Sequence, residues 1–432
     1  MVNAHLKRWF PVVGFAAALV FTGDHLALSR SSPERLRFAH TFTADSERTI
    51  VNAAIAEFEQ EHPPVKIEQV VFNSETYQTI GWRLQFHGRQ QPDVFFHWRG
   101  FKVNYAVERG WAMDMTPYLS PGFLDQLLPS TVQRIKGGIY LLPQSVDISN
   151  LVWYNQDVFA RLGLAEPATL EQWREVCLRL RAAKLLPLAQ GNRDLWPMGN
   201  FGEELLGQSL GAARLDRLFQ SGTVVEPTDL RGLGTLEFFR TNGCLDLPGV
   251  LEPGGIGAMS DIDAKVVFLT GKSAQHIVGS WFLADIADAR AKNELRFPVG
   301  LFPAPSGVGE LDAMTSVTTG FLVNPATKNP RAATAFIELL LSRKYQSQFA
   351  ALGNLSARKD AASFTSEPLG QRMLEILAKT PVIVPPPDTG YLPEHANIFY
   401  EVCGKILTGK LTVASAAEYW NDQKRNLARK GL

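Results

Sequence analysis

Leu142-Pro143-Gln144-Ser145-Val146-Asp147, followed three residues later by Leu151-Val152-Trp153-Tyr154-Asn155-Gln156-Asp157-Val158-Phe159, is the stretch on which the fold turns. It reads as a polar, Pro-led turn running into an apolar strand that ends in Tyr154-Asn155. A helical pattern begins at once and reaches Leu162-Gly163, with glycine at the usual helix stop. Outward from this point, strand and helix patterns alternate in both directions, which predicts an α/β class with parallel sheets. Upstream, 35–40, 65–72 and 93–97 read as strands. The spans 46–62, 76–88 and 100–109 read as helices, the first with Ile50, Ala54 and Phe58 on one face. Downstream, helices are expected at 170–183, 201–210, 233–242, 261–270, 284–291, 332–341, 366–377, 395–407 and 412–424. The first of these has Thr169 as N-cap and Gln172 three residues on. Strands are expected at 274–278, 298–302 and 319–323. Pro385-Pro386-Pro387 is a stiff extended loop, and 307–312 a turn-rich excursion.

The chain of 432 residues is long enough for two domains. Lys+Arg and Asp+Glu stand at 43 each, giving zero net charge. A nucleic-acid partner, which requires a basic face, is therefore not expected. Near the start, Lys7 and Arg8 flank an apolar run, 9–22, too short to span a bilayer. Ala27-Leu28-Ser29 supplies small residues for a signal peptidase. The reading is an export signal at 1–29, with an uncleaved anchor as the alternative. Cys177, Cys244 and Cys403 are odd in number and show no metal-ligand spacing. Each is expected to pack as a small hydrophobe, and one disulfide among them stays open.

Further motifs follow in order along the chain. Phe38-Ala39-His40-Thr41-Phe42-Thr43 forms a first strand and loop, and Pro92-Asp93-Val94-Phe95-Phe96-His97-Trp98 a strand ending in aromatics. Phe268-Leu269-Thr270-Gly271-Lys272-Ser273-Ala274 leads to Gly279-Ser280-Trp281. Thr319-Gly320-Phe321 leads to Asn329-Pro330, Ala333 and Phe336. Taken with the opening string, their order and spacing resemble the extracellular solute-binding proteins of ABC importers, in the carbohydrate-binding, maltose-binding-protein-like branch. The resemblance implies a two-lobed periplasmic-binding-protein fold of class II type. Each lobe would be a mostly parallel sheet flanked by helices, joined by a hinge of several crossovers. Lobe 1 would take 30–145 plus 316–350, and lobe 2 146–315 plus 351–432. It further implies a monomer that binds a mono- or oligosaccharide between the lobes and delivers it to membrane permease subunits. No catalysis, cofactor or metal is implied. No cysteine follows the apolar run, so the lipoprotein variant is not expected, and the location implied is the periplasm. The same fold could instead hold a polyamine, opine or glycerophosphodiester, or present a ligand to a sensor.

Ligands of open α/β sheets bind beyond the carboxyl ends of the strands. A pyranose presents an apolar C–H face and a rim of hydroxyls, so it calls for a flat aromatic beside fixed polar groups. Trp98 and Trp281 are the leading stacking candidates, with Trp196 beside Pro197 a third. Asp147 is the hydroxyl acceptor the resemblance implies. The run from Asp147 to Asn155 is one residue longer than the common family spacing, so Ser149 or Asn150 can take that role. His40, Phe42 and Thr43 come from the first loop and Glu75 from the second. His97 and Arg99 flank Trp98, and Thr319 and Tyr391 complete the set. For each, an ordinary core or surface position is the competing reading.

Enzyme motifs fare badly. Gly271-Lys272-Ser273 lacks the leading glycine of a phosphate loop, Val266 standing in its place. Gly254-Gly255-Ile256-Gly257 lacks the dinucleotide fingerprint spacing, and Gly279-Ser280-Trp281 is not a nucleophile elbow. Asp261 and Asp263 read as a helix start, because the other ligand positions of a calcium loop are missing. An exported hydrolase is thus a hypothesis without a motif behind it.

Overall fold

The computed structural model describes residues 34–88, 90–220, 222–245, 258–305, 313–379 and 382–429. The expected export signal, the 254–257 run and the 307–312 excursion lie outside the described residues. Strands are numbered along the chain: β1 Glu34–His40, β2 Val65–Val71, β3 Val94–Trp98, β4 Arg134–Ile135, β5 Gly138–Ile139, β6 Leu142–Ile148, β7 Leu151–Asn155, β8 Leu186–Ala189, β9 Ser273–Val278, β10 Val299–Pro303, β11 Ala313–Val323 and β12 Val382–Val384. The first sheet runs β12-β11-β3-β1-β2, with β6 also paired to β11. The second runs β10-β7-β9-β8, and β4-β5 is a hairpin.

Side chains alternate across a strand, so each sheet feeds two cores. Phe38, Phe96 and Phe321 pack in one core of the first lobe, while their neighbours Ala39, Phe95 and Leu322 pack in the other. In the second lobe Val152 and Tyr154 face one core, and Leu151 and Trp153 the opposite one. Helices cover both faces of each sheet, which is why these strands read as continuous apolar runs.

The chain leaves the first sheet at Ile148 and joins the second at Leu151, so Ser149-Asn150 alone span the crossover. Two buried carboxylates on the helix Trp196–Leu210 hold this point. Glu204 Oε2 accepts from Asn150 Nδ2 at 2.9 Å and from Thr315 N at 3.0 Å. Glu203 Oε2 accepts from Thr315 Oγ1 at 2.9 Å. Outgoing and returning crossovers are thereby fastened to the same helix of the second lobe.

Three expectations need correction. Mostly parallel pairing holds in the first sheet, where β1-β2, β1-β3 and β11-β12 are parallel. In the second sheet only β8-β9 is parallel, because β7 arrives from the crossover and runs against both β9 and β10. Helix-linked strands share a direction; strands that carry the chain between lobes oppose them. Second, the Pro-led stretch is no turn but the fully buried strand β6. Its polar side chains suggested a loop, yet its backbone pairs with β11. Pro143, which has no N–H to give, stands opposite Gly320 where the ladder shifts register. A Cβ on Gly320 would come 2.2 Å from the Leu142 carbonyl oxygen, so only glycine fits there. Third, the helix expected at 76–88 is broken into Ser74–Thr76, a wide turn at Tyr77–Gly81, and Trp82–Leu84. A further helix, Arg343–Ala351, had no counterpart in the sequence reading. All three cysteines are buried and free.

Candidate functional site

A cavity of about 360 Å3 opens between the sheets, within the size range of small-molecule sites. Its walls come from the loops and strand ends singled out by the carboxyl-end rule. Phe42, Thr43 and Glu47 follow β1, and Gln78 follows β2. Phe96 and Trp98 end β3, and Ser145 and Asp147 lie on β6. Across the gap stand Ser149, Trp196, Asn200, Asp261, Lys265 and Trp281. Asp388 closes one side from the turn Pro387–Gly390. Gly100, at φ 113°, seats that turn, since a Cβ there would meet the Thr389 carbonyl oxygen at 2.2 Å.

The aromatic groups differ by wall. Trp98 is only 8 % exposed. It packs edge-on against Phe96 at 5.1 Å, and the Lys102 ammonium lies 4.5 Å from its ring. Trp196 and Trp281 are half-buried, with centroids 6.1 Å apart at 54°. The Trp196 Nε1 has no hydrogen-bond partner. Trp196 opens its helix, with Pro197 in the first turn where a missing N–H costs nothing.

Asp147 bridges the two walls. It accepts from Ser145 Oγ at 2.7 Å and from Ser280 Oγ at 3.0 Å. Ser145 Oγ is also 2.7 Å from Thr319 Oγ1. Burial pushes the Asp147 carboxyl up, against the pull of those two hydroxyls. Burial likewise raises Glu47 to about 7; the Ala44 N–H opposes this, while Asp147, Asp285 and Asp288 add to it. Lys265 lies 3.4 Å from Asp261 and 3.2 Å from Asp285. Burial would lower Lys265, but the two carboxylates outweigh it and hold the ammonium charged.

Of the candidates, Phe42, Thr43, Trp98, Asp147, Ser149, Trp196, Trp281 and Thr319 line the cavity. Glu75 lies in Ser74–Thr76, and its side chain is outside the described set. Four sit elsewhere. His40 is fully buried beneath its loop, 3.1 Å from Gln69 Oε1 and accepting the Phe42 N–H at 3.2 Å. Burial lowers its pKa to about 4. His97 alternates away from Phe96 and Trp98 and packs 4.7 Å from the Trp82 ring. Burial and the Lys102 charge hold it well below the usual histidine range. Arg99 is half-buried off the cavity, its N–H bonded to Thr318 O. Tyr391 is stacked flat on Phe219, 3.9 Å between centroids, in the second-lobe core. The sequence reading missed Glu47, Gln78, Gln144, Asn200, Lys265, Asp285 and Asp388, all on the cavity wall. Glu47 carried a usable signal: an acidic residue in the first turn of a helix that starts beyond a strand's carboxyl end. Among the described residues no group of His, Cys, Asp and Glu is placed to hold a metal ion.

The family model for bacterial extracellular solute-binding proteins matches residues 43–347. The chain belongs to that family. Its members are extracellular solute-binding proteins. An ABC transporter extracellular-binding protein of Pyrococcus horikoshii is 21% identical over 407 residues, covering 91% of this chain and 88% of the relative. A multiple sugar-binding protein of Streptococcus mutans is 20% identical over 347 residues, covering 78% of this chain and 79% of the relative. Among solved structures, a chitin oligosaccharide binding protein superposes with a TM-score of 0.80 at 19% identity, covering 92% of this chain and 99% of the other. A raffinose complex of another solute-binding protein gives 0.73 at 17% identity, covering 90% and 98%. At such identities the structural likeness fixes the two-lobed fold. Among the described residues no helix is long and apolar enough to cross a membrane.

Proposed function

We propose that this solute-binding protein captures a mono- or oligosaccharide in the cavity between its lobes and hands it to the membrane permease of an ABC importer. The observation that carries the reading is the pair of half-exposed indoles, Trp196 and Trp281, beside a ring of buried polar groups in one cavity. A sugar's C–H face stacks on such rings, each well-placed aromatic contact being worth about 1 kcal/mol beyond burial. Its hydroxyls meet Asp147, Ser149, Asn200 and Thr319, each hydrogen bond adding about 1 kcal/mol net. Gln144 Nε2 and Ser149 Oγ are buried with no partner, a cost that a hydroxyl removes. Sugar-binding relatives and neighbours support the same class.

In this reading the protein is exported to the periplasm and acts as a monomer. The lobes divide at the Ser149-Asn150 crossover, slightly beyond the expected 145–146, and near 315–316 and 350–351, and close on the guest. Closure is the signal of occupancy, because only the liganded form has contacts that hold both walls together. A thermal-shift screen against a carbohydrate panel tests the proposal. A true guest at about 100 times its Kd stabilises the fold by about 2.7 kcal/mol. A panel spanning neutral, acidic and amino sugars that leaves the melting point unmoved refutes the saccharide assignment.

A further inference from the structure

The solute class can be narrowed by charge. Five carboxylates reach the cavity, Glu47, Asp147, Asp261, Asp285 and Asp388, against one ammonium, Lys265. Lys265 is committed to Asp261 and Asp285. Lys265, the one Lys or Arg on the cavity wall among the described residues, pairs with none of Glu47, Asp147 and Asp388. We infer that the guest carries a protonated amine, as an amino sugar does, and that this ammonium sits among Glu47, Asp147 and Asp388.

An observation independent of the acidic count points to a missing donor. Asp261 is 7 % exposed, lines the cavity, and its Oδ1 has no hydrogen-bond partner. Asp388 Oδ1 is buried and equally without one, although its Oδ2 accepts from Gln78 Nε2. A carboxylate only accepts, and an ammonium brings three donors and no acceptor. A hydroxyl brings one donor and also lone pairs that need donors of their own. Closing the cleft on a neutral guest would remove water while leaving like charges facing each other at low dielectric, which is costly. The strain is already visible without a guest: Asp147 and Asp285 add to the burial that raises Glu47. A cation relieves it. The tilted indoles favour a ring-shaped amine over a linear one, and an indole face also attracts an ammonium.

This inference rests on the saccharide reading above, and matched pairs separate the two. Glucose against glucosamine and galactose against galactosamine differ in one 2-hydroxyl replaced by an ammonium, and cellobiose against the glucosamine disaccharide of the same linkage in two. Calorimetry on the full protein should show the amino member of at least one pair binding at least tenfold tighter, or about 1.4 kcal/mol. That advantage should shrink as salt rises from about 0.05 to about 0.5 M, where screening shortens. Asp388→Asn should cut the amino-over-neutral preference by at least about threefold, and an unchanged preference overturns the placement of the ammonium. Neutral members binding as well as their amines overturns the inference and leaves the saccharide reading intact. Spermidine binding with no sugar bound keeps the ammonium but overturns the saccharide, and hence the inference as stated. No binding by any of these probes overturns the inference as well.

Discussion

The two walls of the cavity use aromatic side chains for different ends. On the first-lobe wall Phe42, Phe96 and Trp98 pack on one another and on Tyr77, Phe321 and Phe349, and Trp98 keeps almost no free surface. Those rings are the end of a core that happens to reach the cleft. On the second-lobe wall Trp196 and Trp281 are half-exposed and lean toward each other. Those rings rest on their lobe's cores yet keep uncovered surface on the cavity wall, which is the surface the proposed guest would cover. Nearness to a cavity does not make an aromatic a binding group; the surface left uncovered does.

Substitutions test this contrast. Trp98→Ala should give the largest change and should read out as stability: about 3 kcal/mol lost on chemical denaturation. Affinity lost with an unmoved denaturation midpoint would show that Trp98 belongs with the other pair. Trp281→Ala should do the reverse, weakening the best saccharide by about 2 kcal/mol, roughly thirtyfold. Its stability should change by less than about 1 kcal/mol, since the ring is only half-buried. A third test concerns pH. Burial raises the Glu204 carboxyl from the ordinary 4.5 to about 8, against the pull of Thr315 N–H and Asn150. Its folded pKa lies above its unfolded one, so its contribution is fully present below about 4.5 and is lost as pH rises through about 8. Glu204→Gln keeps an acceptor oxygen for both bonds and cannot ionise. Thermal melts from pH 5 to pH 9 should therefore fall less steeply for the variant, by at least about 1 kcal/mol over the range. Identical slopes would show that this carboxyl does not titrate there. Thr43→Ala should give the smallest effect, under about threefold in affinity, because an exposed hydroxyl exchanges one water bond for another. A tenfold loss would move the first wall from scaffold to recognition.

Much of the fold was legible because local signals agreed with tertiary need. Thr169 accepts the Gln172 N–H at 3.2 Å, and Gly163 ends the helix Gln156–Leu162 in the left-handed region, both as read. Ser260 and Asp263 form a reciprocal cap, which is why those acidic residues start a helix. β6 misled because its polar residues serve a buried cavity wall, and a strand whose ladder includes a proline looks like a loop. In the site, Trp196 and Trp281 were readable as aromatics just past strand ends. His97 was misplaced although strand alternation separates it from Phe96 and Trp98. Asp388 was not readable: it reaches the cavity through the packing of its turn on Gly100, more than 280 positions away in the chain.

The fastening of Asn150 and Thr315 to Glu203 and Glu204 has a mechanical corollary. Both spans ride with the second half as passengers, so they cannot serve as the axle. Any swing must instead flex the ribbon made by β6 and β11, whose rungs begin at Ile148 and Ser316. A paired ribbon bends across its face far more readily than within its plane, so the proposed closure would open and shut the mouth like a jaw, with little sideways slip.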